Sequence, residues 1–321
     1  MEERIEHSEI DLVYMWVDGN DPVWIAKKQQ VTGNVSDQSE ENNRGRYINN
    51  DELRYSLRSA ELYVPWVRKI FIVTDNQSPD WLVRDHPKIE VVDHTEILPP
   101  EALPCFNSSV IEYFIHRIPG LGERFLLAND DLFFGKPLKS SFFFDSNGLP
   151  YVRLKRKVLG RWHYAVKKLF RKRLGQYISK VLEGAVMVHQ QFGKFYSGIP
   201  HHNIDAYRRD DYRYAAEQVF GDKVKASLGS HVRQYGDLHR SAFSYYILAT
   251  DKAHLRYVNR RESLRLNVHK QHFMKRLMRF NPSLFCLNDS QRVSDADREA
   301  IKPFLEMLFP QKSSFEKTNV E

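Results

Sequence analysis

Cysteine is almost absent from this sequence: Cys105 and Cys286 are the only two in 321 residues. Two cysteines this far apart make neither a disulfide framework nor a zinc-ligand pattern, and both are expected as reduced, buried thiols. No apolar run reaches the roughly 18 residues that a membrane-spanning helix needs, so no segment is expected to cross a bilayer. No secretory leader is expected either. The start, Met1-Glu2-Glu3-Arg4-Ile5-Glu6-His7, is polar and acidic where a leader has a basic end and an apolar run. Together these absences predict a cytoplasmic protein. Internal repeats are lacking too.

Acidic residues thin out along the chain. Residues 1–150 carry 15 Lys+Arg against 25 Asp+Glu, a net −10, whereas residues 151–321 carry 33 against 16, a net +17. An acidic half can hold a cation, and a basic half can face phosphates or an anionic surface. Nucleic acid is not the expected partner, because no RNA- or DNA-binding signature and no stacking-aromatic motif accompanies the positive charge.

What is present is a set of short apolar runs, each ending in an acidic residue. They are Ile10 to Asp18, Lys69 to Asp75, Ile89 to Asp93 and Arg124 to Asp131. Runs this continuous fit strands buried on both faces, as in a parallel sheet. Helix-like stretches from Asn50 to Tyr63 and from Asn107 to Ile118 lie between them, each opening on a plausible cap. The alternation predicts an α/β fold, a Rossmann-like, mostly parallel sheet with flanking helices. Ligands of such sheets bind at the carboxyl ends of the strands, where Asp18, Asp75, Asp93 and Asp130/Asp131 gather.

Residues 31–50 are polar and read as a loop over the rim of that site. Beyond Tyr151 the composition changes: Tyr151 to Leu182 holds eleven basic residues and no acidic one. Trp162, Val166, Leu169, Phe170, Leu174, Tyr177, Ile178 and Val181 recur at helical spacing, which makes a basic amphipathic helix or pair. Such a helix either packs on the core or presents a surface to anionic lipid or a charged, lipid-linked glycan. The expected organisation is therefore 1–150 as the Rossmann-like half, 151–190 as a basic helical insertion, and 191–321 as an α-rich remainder packed with the first half as one unit.

Several local patterns occur in fixed order. Tyr14-Met15-Trp16-Val17-Asp18-Gly19-Asn20-Asp21-Pro22 is followed by Asn49-Asn50-Asp51-Glu52-Leu53-Arg54-Tyr55-Ser56-Leu57-Arg58-Ser59. Pro65 to Gln77, Phe106-Asn107-Ser108-Ser109, His116 to Leu121 and Leu127-Ala128-Asn129-Asp130-Asp131 come next. This series resembles the first two conserved regions of the Stealth family. That family includes bacterial capsular and exopolysaccharide phosphotransferases and the catalytic subunit of the lysosomal-enzyme N-acetylglucosamine-1-phosphotransferase. Pro200 to Arg209, with Val232-Arg233 and Ala242 to Tyr246, resembles the third region. Phe285-Cys286-Leu287-Asn288-Asp289, with Phe309-Pro310 and Ser313 to Glu316, resembles the fourth. Where the third region often reads His-x-Pro, this chain has Pro200-His201-His202-Asn203. His202 keeps its spacing to Ile204-Asp205, and His201 is the alternative.

The resemblance implies a nucleotide-sugar transferase-like fold and transfer of a hexose-1-phosphate from a nucleotide sugar to a hydroxyl of a glycan or lipid-linked glycan. A phosphodiester forms and a nucleoside monophosphate leaves. An enzyme lacking a membrane span then fits a bacterial cytoplasmic location, peripheral to the inner membrane. Asp130 and Asp131 offer hard oxygen ligands suited to Mg²⁺ or Mn²⁺ on a diphosphate, or are capping residues of a surface turn. Asn288 and Asp289 join that ion by resemblance; by spacing alone they are a cap or turn. His202 is implied as the base, Arg233 as the holder of the moving phosphate, and Asp18 as part of the catalytic pocket. Asn50, Asp51 and Arg54 lie at helical spacing, where the arginine grips phosphate or pairs with Asp51 on the surface. Asp75 and Asn76 meet the base or ribose, or cap structure locally; Asn107 is a candidate sugar or acceptor contact. Two rivals remain: a metal-dependent glycosyltransferase releasing a nucleoside diphosphate, and a non-enzymatic protein docking on anionic lipid or polymer.

Overall fold

The computed structural model describes residues 9–33, 44–157, 162, 175–270, 272–290 and 292–318. All four anticipated strands form: β1 (Ile10–Met15), β2 (Ile70–Thr74), β3 (Ile89–Asp93) and β4 (Arg124–Asn129). They lie parallel in the order β3-β2-β1-β4, and the antiparallel β8 (Asp205–Arg208) completes the sheet beside β4. Every residue of β1 is buried because both faces are covered. Val13 and Met15 enter one core with Val110, Ile111 and Tyr113; Leu12, Tyr14 and Trp16 enter another with Leu53 and Leu57. Asp11 tolerates burial in this strand because Arg68 donates to both of its oxygens at 2.8 and 2.6 Å.

The remaining strands were not apparent from the apolar runs. β5 (Leu132–Phe134) follows Asp131 directly and pairs antiparallel with β11 (Leu284–Asn288), which runs parallel to β10 (Ser263–Asn267). Phe133 stacks on Phe285 and Phe309, with centroids 4.9 and 6.2 Å apart, and this aromatic layer fastens the C-terminal segment to the acidic turn. A third sheet joins β6 (Tyr151–Lys155) to β7 (Ile199–Pro200) and β9 (His254–Tyr257). The second half is thus richer in strands than expected, and β8 and β11 knit it to the first.

The principal helices are α1 (Pro22–Thr32), α2 (Glu52–Tyr63), α3 (Ser108–Tyr113), α4 (Gln176–Phe192), α5 (Ser241–Ala249), α6 (Phe273–Phe280) and α7 (Ile301–Leu308). Asn107 caps α3 as expected, its side chain accepting from Ser109 N–H. The α2 cap position falls on Asp51, not Asn50, in left-handed backbone with φ 65° and no side-chain cap bond. The anticipated basic amphipathic stretch is only partly within the described residues. Val166, Leu169, Phe170 and Leu174 lie outside them, and so does much of the loop expected at 31–50. Its end is α4, which packs on α5 closely enough that a Cβ at Gly184 falls 2.9 Å from the Ala242 Cβ. Val181 is buried there, so this portion of the apolar face turns inward. No helix among the described residues is long and apolar enough to cross a membrane, and both cysteines are free and buried.

Candidate active site

A cavity of about 880 Å³ opens where the carboxyl ends of β1 and β4 meet the second sheet, the crevice in which open α/β sheets bind ligands. Trp16 and Val17 approach it from β1, Asn129, Asp130 and Asp131 from β4, and Asn288 and Asp289 from β11; His202 and Arg233 line it too. The groups anticipated from distant parts of the chain therefore share one space. Six buried polar atoms around it have no hydrogen-bond partner among the described residues: Trp16 Nε1, Trp24 Nε1, His94 Nδ1, Asn129 Oδ1, Asp131 Oδ1 and His269 Nδ1. Orphaned buried groups are costly, so this concentration marks a wall built to meet a polar ligand.

Glu52, Asp130 and Asp131 form the floor. All three are pushed above the ordinary carboxylate range, chiefly by burial. The charges of Glu52 and Asp131 add to the rise at Asp130, and Asp131 adds to the rise at Glu52. Crowded, desolvated carboxylates with unpartnered oxygens on Asp131 and Asn129 fit a hard divalent cation. The Cys286 thiol donates to Asp131 Oδ2 at 3.3 Å, and burial holds its pKa well above normal, so it stays a protonated donor beside the site. Ligand atoms of Asp131, His202 and Cys286 all lie within 4.8 Å of one another. The oxygens of the fourth-region pair are already engaged. Asn288 Oδ1 accepts from Arg265 at 2.6 Å, and Arg298 holds both oxygens of Asp289 at 2.7 and 3.1 Å.

The two adjacent histidines occupy different environments. His201 is fully buried, hydrogen-bonded through Nδ1 to Ser263 Oγ at 2.9 Å and through Nε2 to Asp205 at 3.0 Å. His202 takes a left-handed backbone, φ 56°, that turns it to the cavity. Burial depresses its pKa well below normal, and the charges of Arg265 and Arg240 push the same way, so the imidazole is neutral. Asp205 bonds His201, not His202, and lies 3.3 Å from Arg240. Tyr177 abuts the His202 ring edge-on at 6.4 Å.

Arg233 is fixed at the wall by Ser108 Oγ, which accepts from Nε at 3.0 Å and Nη2 at 2.6 Å. Asn107 does not line the cavity. It is fully buried, and its Nδ2 donates to the Val232 carbonyl at 3.3 Å and to Asp237 at 2.9 Å, which sets the loop bearing Arg233. Asp18 stands in the turn after β1, accepting from Asn20 N–H, while its own N–H donates to Gln77. Asp75 is paired to Lys27 Nζ at 2.5 Å, and Asn76 N–H donates to Asp93. Asn50 bonds Glu52, Asp51 pairs with Lys302, and Arg54 pairs with Glu316 beside Arg58. None of these seven is brought to the cavity wall.

Two participants escaped the sequence reading. Arg265 lines the cavity and orders Asn288; its signal was a lone charge between the apolar residues of Ser263-Leu264-Arg265-Leu266. Trp24 packs on Tyr47 and Phe106, with centroids 5.3 and 5.2 Å apart, and no local pattern distinguishes such an aromatic corner from ordinary core.

Residues 8–36, 46–152 and 275–321 match Stealth protein conserved regions 1, 2 and 4. The chain is 33% identical over 96% of its length to exopolysaccharide phosphotransferase SCO6021 of Streptomyces coelicolor, covering 57% of that protein. It is 33% identical over 88% of its length to capsular polysaccharide phosphotransferase fcs1 of Haemophilus influenzae, covering 78% of it. Across the exopolysaccharide phosphotransferases it matches, it spans 23–58% of their length. Among solved structures, the galactosyltransferase LgtC in complex with donor and acceptor sugar analogues aligns over 97% of both chains, with TM-score 0.46 and 12% identity.

Proposed function

Because the chain belongs to the Stealth protein family, we propose that it transfers a sugar-1-phosphate from a nucleotide sugar to a hydroxyl of a glycan, in capsular or exopolysaccharide synthesis. The observation carrying this reading is the convergence of Asp130, Asp131, His202 and Arg233 on one cavity of the volume a nucleotide sugar needs. Both halves of the chain contribute walls, so the catalytic unit spans them.

Phosphoryl transfer requires neutralised non-bridging oxygens, a nucleophile aligned in line and a stabilised leaving group. Asp130 and Asp131, with Asn129, would hold Mg²⁺ or Mn²⁺, which would supply positive charge to the diphosphate. Arg233, braced by Ser108, grips the phosphate that moves. Arg265 adds charge from the facing wall. Burial is the main reason His202 is neutral, and bound diphosphate would offset the charge of Arg265 that adds to it, so its affinity for a proton rises as the donor seats. His202 then takes the proton of the acceptor hydroxyl. A bond forms between that oxygen and the phosphorus attached to the sugar, and the bond from this phosphorus to the bridging oxygen breaks. The nucleoside monophosphate leaves with the electron pair.

The test is incubation with a panel of nucleotide sugars, Mg²⁺ and glycan acceptors, followed by chromatography of the released nucleotide. Nucleoside monophosphate is expected. Nucleoside diphosphate instead assigns attack to the anomeric carbon, and the chain is then a glycosyltransferase.

A further inference from the structure

Asp131 is tied to β11 at two points. Its backbone carbonyl accepts from Leu287 N–H at 3.0 Å, and its Oδ2 accepts from the Cys286 thiol at 3.3 Å. Oδ1 is buried and has no hydrogen-bond partner among the described residues. The two oxygens of this carboxylate are therefore unequal: one is occupied, and the other is open to a ligand. Cys286 acts from behind the cavity. It is fully buried in a core cluster with Leu126, Ala128, Leu132 and Phe134. Its neighbours Leu287 and Asn288 line the cavity, and Cys286 does not. Strand pairing fixes the sulfur in place, because Cys286 stands opposite Leu132, the residue after Asp131. An apolar setting disfavours a thiolate, so the sulfur keeps its proton and donates it.

The chemistry of that donor sets what the carboxylate can do. Arg298 grips both oxygens of Asp289 and neutralises its charge. A thiol is neutral and has one weak proton to give. It occupies one oxygen of Asp131 and leaves the negative charge in place for a cation. A carboxylate with one oxygen taken ligates a metal through the other alone. Such ligation suits Mg²⁺, which demands near-ideal octahedral geometry at about 2.0–2.1 Å. The two oxygens of one carboxylate lie too close together to fill adjacent corners of that octahedron. Ca²⁺ takes about six to eight oxygens at roughly 2.3–2.6 Å and accepts both oxygens of one carboxylate.

We propose that Cys286 is a positioning residue for the metal: its thiol reserves Oδ2, so that Asp131 ligates through Oδ1 alone and the site prefers Mg²⁺ or Mn²⁺ to Ca²⁺. This rests on Asp131 being a ligand of the ion in the transferase proposed above. The rival role for the sulfur is direct ligation, since ligand atoms of Asp131, His202 and Cys286 lie within 4.8 Å of one another. Direct ligation strips the proton from the thiol and selects a soft ion. A buried sulfur that stands behind the carboxylate and outside the cavity lining favours the donor role.

Metal binding to the full chain tests this without turnover. Mn²⁺ is titrated by electron paramagnetic resonance, and Ca²⁺ is then added to displace it. The wild type should favour Mn²⁺. Cys286→Ala releases Oδ2, and the preference for Mn²⁺ over Ca²⁺ should fall by about tenfold or more, the range for removing a group that orients a metal ligand. Cys286→Ser keeps an O–H donor and should keep most of the preference, which repaired packing alone does not explain. Should Cys286→Ala fold poorly, Cys286→Val fills the core without a donor and gives the same readout. Co²⁺ added to the wild type should give a spectrum with no sulfur-to-metal charge-transfer band. A preference that is unchanged across the variants, or a wild type that binds Ca²⁺ as tightly as Mn²⁺, overturns the proposal alone. A sulfur-to-cobalt band lost in Cys286→Ser overturns it too, because the thiol is then a ligand. No Mn²⁺ bound by the wild type overturns it together with the metal site itself.

Discussion

At the residue scale the chemistry depends on side chains held by groups that do not themselves face the cavity. His202 reaches the cavity from left-handed backbone, and His201, pinned between Ser263 and Asp205, fixes the turn that aims it. Replacing His202 by Ala should lower turnover by roughly 10²–10⁴, the range for removing an acid–base group, with the melting temperature little changed. Turnover near wild type assigns the proton to another group. Asn107→Ala acts differently. It frees the Val232 carbonyl and Asp237 from their shared donor, so Arg233 loses its aim, and turnover should fall without any cavity-lining side chain having been altered. A glycine matters here as well. A Cβ at Gly19 falls 2.1 Å from the Tyr47 carbonyl oxygen, so Gly19→Ala should displace the Tyr47 wall and weaken nucleotide-sugar binding in calorimetry. Asp130, Asp131, His202 and Arg233 were legible as candidates because each sits within a short recognisable pattern. Arg54 was misplaced because its partner, Glu316, lies 262 residues away, a pairing that local spacing does not report.

At the element scale, β1 to β4 were readable because buried parallel strands are continuous apolar runs bounded by turn residues. β9, β10 and β11 were not. β9 is polar and exposed, and β10 alternates around Arg265, so neither forms such a run. Of these less visible strands, β10 brings Arg265 and Asn267 to the cavity and β11 brings Leu287 and Asn288. The Phe133–Phe285–Phe309 layer holds them, and Phe133→Ala should cost about 3–5 kcal/mol in a denaturant titration. The C-terminal segment has a second attachment. Burial raises the Glu316 carboxyl, but hydrogen bonds from Arg58, the Ser313 backbone and Arg54 outweigh it and bring the pKa to about 2. The folded value lies below the unfolded one, so this stabilisation is full above about pH 4.5 and lost as pH falls toward 2. Thermal melts of Glu316→Gln should be lower than wild type at neutral pH and should converge with it in acid. Parallel melting curves across that range remove the carboxyl from the account.

At the scale of the whole molecule, the acidic first half and basic second half meet at one crevice, the first supplying carboxylates and the second His202, Arg233 and Arg265. Division of labour between halves was visible in the charge count, whereas the way β8 and β11 cross between them was not, because strand pairing at long separation leaves no local trace. In the proposed mechanism Asp130 and Asp131 would hold a divalent cation. Chelation should abolish turnover, restored by Mg²⁺ or Mn²⁺, while circular dichroism stays unchanged; turnover persisting in chelator removes the ion from the proposal. The most direct measurement follows the phosphorus. A nucleotide sugar carrying a radioactive label only in the phosphate bonded to the sugar should pass that label into the glycan. Recovery of the label with the released nucleotide, and none in the glycan, contradicts the account.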